Sequence, residues 1–197
     1  MLYSSAGLLL IDKCKNTCLI KRHKPYNSKC GEQCLFLEAI QIPKGGQCKT
    51  DKNLIDTATR EFLEETHCIN TNVIFYYKKS FKLYWYDANI KWEYTIFIGF
   101  IDEHFKFENP MNKLQVLFYG SYYYPYYLIK SLTHWNIIVM KLNDYISLLQ
   151  NLQLQYYNQH NYNEFIQFLQ NIHIPIKGII TWDWLSFRMD NCIKKDK

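Results

Sequence analysis

No apolar run in this 197-residue chain is long enough to span a bilayer. The N-terminus lacks a charged stretch followed by a long apolar segment, so no secretory signal is read there. These two absences lead to the expectation of an intracellular, cytoplasmic protein with no membrane partner. Internal repeats and clear linkers are also lacking, and a single domain over 1–197 is expected. Charged residues make up only 21% and hydrophobic ones 48%, which excludes a disordered chain and leaves enough apolar mass for a core. The seven cysteines are an odd number, which argues against a complete disulfide framework. Cys14/Cys18 and Cys30/Cys34 form two C-x₃-C pairs at spacings a zinc ion can use. The first pair also suits the two ends of a hairpin turn, with reduced and partly buried thiols, and the sequence leaves both readings open.

The formal charge is +5, with lysines and arginines clustered at 21–24, 78–82 and 194–197. Mild basicity is compatible with RNA or nucleotide partners, and equally with ordinary solvated lysines.

What the chain does have is concentrated in 42–68, IPKGGQCKTDKNLIDTATREFLEETHC. A glycine turn leads into a helix that carries Arg60, Glu61, Glu64 and Glu65. Residues three and four apart share a helix face, so the three carboxylates project together and Arg60 reaches Glu64. Mutually repelling acids need a positive partner, and a hard divalent cation such as Mg²⁺ or Mn²⁺ supplies one. Gly45 and Gly46 let the backbone turn sharply and approach a ligand, and Lys44 adds a positive charge. A cation beside a glycine loop suits a substrate rich in phosphate oxygens. An acidic helix face alone reads as solvated surface; loop, helix and acids in succession point to a site.

These residues resemble the signature of the Nudix hydrolases: a glycine, five residues, a glutamate, seven residues, then R-E-x-x-E-E-x-G. Gly46, Arg60, Glu61, Glu64 and Glu65 fall at its spacings, and Phe62 fits the position after the first glutamate of that run. Two positions depart from it. Lys52 stands where the family has its first glutamate, with Asp51 one residue earlier, and His67 replaces the last glycine. Asp51 is expected to cap the helix by accepting from its free N–H groups. A positive φ at His67 would cost on the order of 1 kcal/mol, because its Cβ clashes there. The R-E-x-x-E-E core is intact, so an active enzyme is expected.

The resemblance implies an α/β fold, a Nudix-type α/β/α sandwich with a mixed sheet and additional C-terminal helices, and a helical insertion or extension around 103–172. It implies hydrolysis of a nucleoside-diphosphate linkage with Mg²⁺ or Mn²⁺ as cofactor. Carried over by position, Glu61 and Glu65 are catalytic and the best metal ligands, and Glu64 shares the metal. Arg60 orients Glu64, and Lys44, Gly45 and Gly46 bind substrate. A further acid from downstream is expected, Glu103 first, with Asp102 and Glu93 behind it. Viral members of the family from large DNA viruses resemble this chain in their long helical additions and IPKG-type loops, and many of them remove the mRNA cap.

The periodicity gives strands over 5–11, 17–23 and 35–42, then the signature helix over 53–67 with Leu54, Ala58 and Phe62 as its buried stripe. Strands follow over 73–79, 81–86 and 91–101, the last two joined at the Asp87-Ala-Asn89 turn. Helical turns are expected within 102–133, a strand over 134–140, helices over 142–157 and 163–172, and an amphipathic segment over 176–189.

Three functions follow. The first is mRNA decapping with release of m⁷GDP from capped RNA, with Trp85, Trp92, Tyr122 and Tyr124 as stackers on the methylated base; core packing is their other role. The second is a small-nucleotide pyrophosphatase acting on ADP-ribose, an NTP or a dinucleoside polyphosphate. The third is a catalytically silent RNA-binding protein on the same fold, which Lys52 keeps open.

Overall fold

A computed structural model describes residues 2–22, 40–68, 72–87, 90–107, 115–116, 127–130, 135–153, 161–172 and 181–183. The apolar N-terminal run forms β1 (Leu2–Ile11), buried on both faces from Ala6 onward. It turns back into β2 (Asn16–Arg22). Asp12 holds that turn: its Oδ1 accepts from the Cys14 and Asn16 N–H groups, each at 2.8 Å, while Lys15 takes φ 61°. On its other side β1 runs parallel to β6 (Ile90–Phe100), in register from Leu2↔Lys91 to Ile11↔Phe100.

β1 and β2 pair at Ile11↔Thr17, and the segment 40–45 enters between them. Its first part, β3 (Ile40–Gln41), pairs with β2; its last, β4 (Lys44–Gly45), pairs with β1 at Ala6↔Gly45 and Gly7↔Lys44. The glycine loop therefore springs from within the sheet rather than from its margin. β5 (Asn72–Asp87) pairs antiparallel with β6, and the register slips between Phe75 and Ser80. That slip falls where the sequence suggests two separate strands. The sheet is completed by β7 (Gln115–Val116), β8 (Tyr127–Lys130), β9 (Trp135–Lys141) and β10 (Thr181–Asp183), in the order β10-β5-β6-β1-β2-β9-β8-β7. With one parallel and many antiparallel pairs it is a mixed sheet, as expected.

Helix α1 (Leu54–Thr66) covers one face: Ala58, Phe62 and Leu63 pack on Ala6, Leu8, Leu10 and Cys18. Leu54 is only partly buried there, so the stripe is centred on Ala58 and Phe62. Truncating Phe62, fully buried, removes a contact worth about 3–5 kcal/mol. Helices α2 (Leu142–Gln153) and α3 (Tyr162–Gln170) cover the opposite face, with Tyr145, Leu149, Phe165 and Leu169 packed on Leu9, Ile96 and Ile98. The result is the expected α/β/α sandwich. The helical turns expected within 102–133 are not what the described residues form. Gln115–Val116 pairs with Tyr127–Lys130, which in turn pairs with β9, so backbone pairing onto an existing edge outweighs weak local periodicity there; positions 108–114, 117–126 and 131–134 lie outside the described residues. Among the described residues no helix is long and apolar enough to cross a membrane.

Candidate active site

Helix α1 begins at Asn53, whose side chain accepts from the Ile55 and Asp56 N–H groups at 2.8 and 3.0 Å. Asn53, not Asp51, is the N-cap. The helix ends at His67, which takes the left-handed conformation (φ 52°) and donates its N–H to the Leu63 carbonyl at 2.9 Å. The strained backbone anticipated at that position is present.

Asp51 does something else. Its carboxylate faces the guanidinium of Arg60 side-on, with Nε to Oδ1 at 3.1 Å and Nη2 to Oδ2 at 3.1 Å. It also accepts from the Cys48 N–H at 2.8 Å and the Thr57 hydroxyl at 3.1 Å. Arg60 completes its fork with Nη2 to the Gly46 carbonyl at 2.9 Å and Nη1 to Glu61 at 2.7 Å and Glu64 at 3.2 Å. The expected Arg60–Glu64 contact is there, as one arm of a larger hub. Burial opposes charge on Arg60, yet its bonds to Asp51 and Glu61 outweigh that and raise its pKa. Burial raises the Glu61 carboxyl above the ordinary glutamate range; Arg60 pulls it back, while Glu64 and Asp51 push it further up.

Alternation along a strand sends neighbours to opposite faces. A Cβ on Gly45 would collide with the Glu61 carboxylate, so the missing side chain is what lets this acid reach the loop. Lys44 next door goes the other way, and its ammonium lies 4.7 Å from the centre of the Tyr94 ring. The positive charge expected beside the acids thus stands on the far face of the strand, while the Lys44 backbone N–H donates to Glu65 Oε2 at 3.0 Å. Gly46 has open space where a side chain would stand.

Glu61 and Glu65 therefore meet the same short strand from successive turns of α1. Among the described residues no three His, Cys, Asp or Glu side chains are grouped as a ready-made metal site. The reason is visible: Glu61 and Glu64 lean to Arg60, and Glu65 to the Lys44 N–H. The donor chemistry nonetheless fits a hard divalent cation, since every available ligand is a carboxylate oxygen. A half-buried Glu61 flanked by two other acids also has a standing demand for positive charge.

The other expected residues are dispersed. Glu103 lies in the segment after β6 and pairs with Lys106. That segment returns to the end of α1 through a bridge between Phe107 and Cys68. Asp102 is exposed, and Glu93 pairs with Lys82 at 3.0 Å across the β5–β6 ladder. Lys52 is exposed, and its N–H donates to Asp56. Cys14 is exposed in the turn while Cys18 is buried under α1 with Cys68, so this pair presents no joint face to zinc. Cys30, Cys34, Tyr122, Tyr124 and the side chain of Trp85 lie outside the described residues. Trp92 stacks on Tyr3, with ring centres 4.8 Å apart at 20°, and Tyr3 is 45% exposed. Sequence reasoning passed over Tyr3, Tyr94 and Gly7. All three are recognisable only once β1, β4 and β6 are aligned.

No family model matches the chain. It is 28% identical over 181 residues to Protein ADP-ribose pyrophosphatase ORF38 of Autographa californica nuclear polyhedrosis virus, covering 86% of this chain and 83% of that protein. A 24.3 kDa protein of Orgyia pseudotsugata multicapsid polyhedrosis virus is also 28% identical, over 180 residues and the same shares of each chain. Among solved structures, a C. elegans Ap4A hydrolase matches over 86% of this chain and 95% of its own, at 16% identity and a TM-score of 0.49. The NUDIX domain of Shewanella oneidensis NrtR complexed with ADP ribose matches over 86% and 87%, at 12% identity and a TM-score of 0.47.

Proposed function

From the premise that fold and signature are those of a Nudix hydrolase acting on pyrophosphate bonds, we propose that this chain hydrolyses a small nucleoside-diphosphate substrate, ADP-ribose foremost. The observation that carries the reading is the placement of Glu61: a half-buried carboxylate on α1, held by Arg60 and set into the space that Gly45 leaves. The ADP-ribose pyrophosphatase relative moves this substrate ahead of capped RNA, which the aromatic content alone favours. Of the four residues expected to stack on a cap, only Trp92 has a described side chain, and its face is engaged by Tyr3.

Glu61, Glu64 and Glu65 would hold Mg²⁺ or Mn²⁺. When bound, such an ion neutralises phosphate oxygens and acts as a Lewis acid at the pyrophosphate. The chain does the rest by positioning. Arg60 fixes Glu61 and Glu64 against each other's repulsion. The small Gly45–Gly46 step lets the diphosphate come close to the backbone. The Tyr3–Trp92 pair shares its sheet face with Lys44, opposite the face that Glu61 meets, because Tyr3 and Gly7 have the same parity on β1 and Gly7 pairs with Lys44; it is given no contact with the substrate. Glu103 is occupied by Lys106 and is given no step.

The test is a panel of ADP-ribose, NTPs, a dinucleoside polyphosphate and capped RNA, each with and without Mn²⁺, with Glu61→Gln as control. AMP and ribose 5-phosphate from ADP-ribose, absent in the control, are the expected products. Release of m⁷GDP from capped RNA while ADP-ribose stays intact would transfer the assignment to decapping. No product from any substrate, together with undetectable Mn²⁺ binding and tight RNA binding, would instead favour a silent RNA-binding protein.

A further inference from the structure

We propose that Asp51 is a positioning residue that performs, from one place earlier in the chain, the service the family's motif assigns to the acid missing at position 52. A guanidinium has five N–H donors in a rigid plane. In this site Nε and one Nη2 hydrogen go to Asp51, the other Nη2 hydrogen to the Gly46 carbonyl and an Nη1 hydrogen to Glu64, while Nη1 also stands 2.7 Å from Glu61 as an ion pair. The Asp51 contact is two-pronged, and such a contact fixes the plane of the group as well as its place. Once Nε and Nη2 are clamped, Nη1 has one direction left, toward Glu61 and Glu64.

The clamp is well made. The Asp51 side chain is only 2% exposed and that of Arg60 10%, so neither has water as a ready substitute. Asp51 is itself fixed by Cys48 in the loop and Thr57 in the first turn of α1. Lys52 offers none of this, because its residue is exposed and its backbone is directed to Asp56.

Asp51 also settles a question of charge. One guanidinium faces three acids, and if Glu61 and Glu64 had it to themselves they would be largely neutralised and poor partners for a cation. Asp51 takes up much of that positive charge on the side away from them. The pair of glutamates keeps a net negative charge while retaining its geometry.

This inference rests on the pyrophosphatase reading for its kinetic test and on cation binding for a second one. Asp51→Asn keeps shape and size but loses the charge and one acceptor; Asp51→Glu keeps the charge. At a temperature where circular dichroism shows both variants folded, Asp51→Asn is expected to lower kcat on ADP-ribose by about tenfold or more, with KM changed less than about threefold. It should also weaken Mn²⁺ binding, read by titration calorimetry without substrate, and Asp51→Glu should restore most of both. Asp51→Asn matching the wild type in kcat and Mn²⁺ affinity would overturn the proposal. So would Asp51→Glu being as impaired as Asp51→Asn. A wild type that binds Mn²⁺ and hydrolyses nothing would retire the pyrophosphatase reading, and the Mn²⁺ titrations of the two variants would still decide the role of Asp51.

Discussion

Replacing Gly45 by alanine should damage catalysis and spare the fold. The new methyl group would sit under 3.0 Å from the Glu61 carboxylate, closer than real Cβ contacts come, so the carboxylate must leave. It is the far end of a flexible side chain, and its departure strains no backbone. Gly45 is not in the left-handed region, so alanine fits its φ and gains about 0.4–1 kcal/mol by restricting the unfolded chain. Against this stands the loss of the 2.7 Å Glu61–Arg60 pair, whose side chains are largely buried; Arg60 keeps Asp51, the Gly46 carbonyl and Glu64, so the loss is that of one charge-assisted contact, about 1.5–3 kcal/mol. Net stability should therefore fall by about 0.5–2.6 kcal/mol, well short of unfolding the protein. Catalysis is less forgiving: a displacement of about 1 Å in a catalytic group costs about a hundredfold, or about 2.7 kcal/mol of barrier. Gly46→Ala separates the two roles of the loop: open space awaits its methyl group, so Glu61 stays in place, and its effect should fall on KM through the approach of the diphosphate rather than on kcat. The assay pairs kcat on ADP-ribose with calorimetric melting for both variants. A Gly45→Ala enzyme within about threefold of wild-type kcat, or equal losses in the two variants, would refute the assignment of Glu61 to the reacting centre.

Gly7→Ala should show the opposite profile. Its methyl group would meet the Pro43 carbonyl and the buried Tyr94 ring, neither free to move, and overpacking of this kind costs about 1–3 kcal/mol in chemical denaturation. His67→Gly relieves the left-handed strain at the end of α1 and should raise stability by about 1 kcal/mol, seen as a higher denaturation midpoint with unchanged slope. Burial alone would raise the Asp51 pKa, but its bonds to Arg60, Cys48 and Thr57 outweigh that and lower it. The stability it contributes is therefore full above the ordinary aspartate value of about 3.9 and is lost as pH falls through the lower folded value. Melting temperatures between pH 6 and pH 2.5 should fall more steeply for the wild type than for Asp51→Asn.

The signature helix was legible because helix geometry is local: the face shared by Glu61, Glu64 and Glu65, the reach of Arg60 to Glu64, and the break at His67 all follow from residue spacing. Strand identity was legible for the same reason, since apolar and β-branched runs such as 5–11 and 91–101 carry their own signal. What stayed hidden depends on partners distant in sequence. Asp51 looked like a cap because it precedes a helix, and only the folded loop brings it to Arg60. Lys44 seemed to join the acids because it is adjacent to Gly45, but strand parity sends it to Tyr94. The short strands at 115–116 and 127–130 have too few residues to announce themselves; 127–130 exists because β9 offers an edge, and 115–116 because 127–130 then offers the next.

The long parallel match of β1 with β6 has a consequence for the birth of the protein. β1 leaves the ribosome well ahead of its partner: the strand it lies against over ten positions is made about ninety residues later. Until then β2, β4 and α1 can cover part of its apolar row from Ala6 to Ile11, but the edge that β6 fills stays open. Closing such a distant pairing is slow because the intervening chain must be ordered before the contacts reward it. Translation that pauses before residue 100 should hold this nascent chain in a form that chaperones recognise, and release it once β6 has emerged.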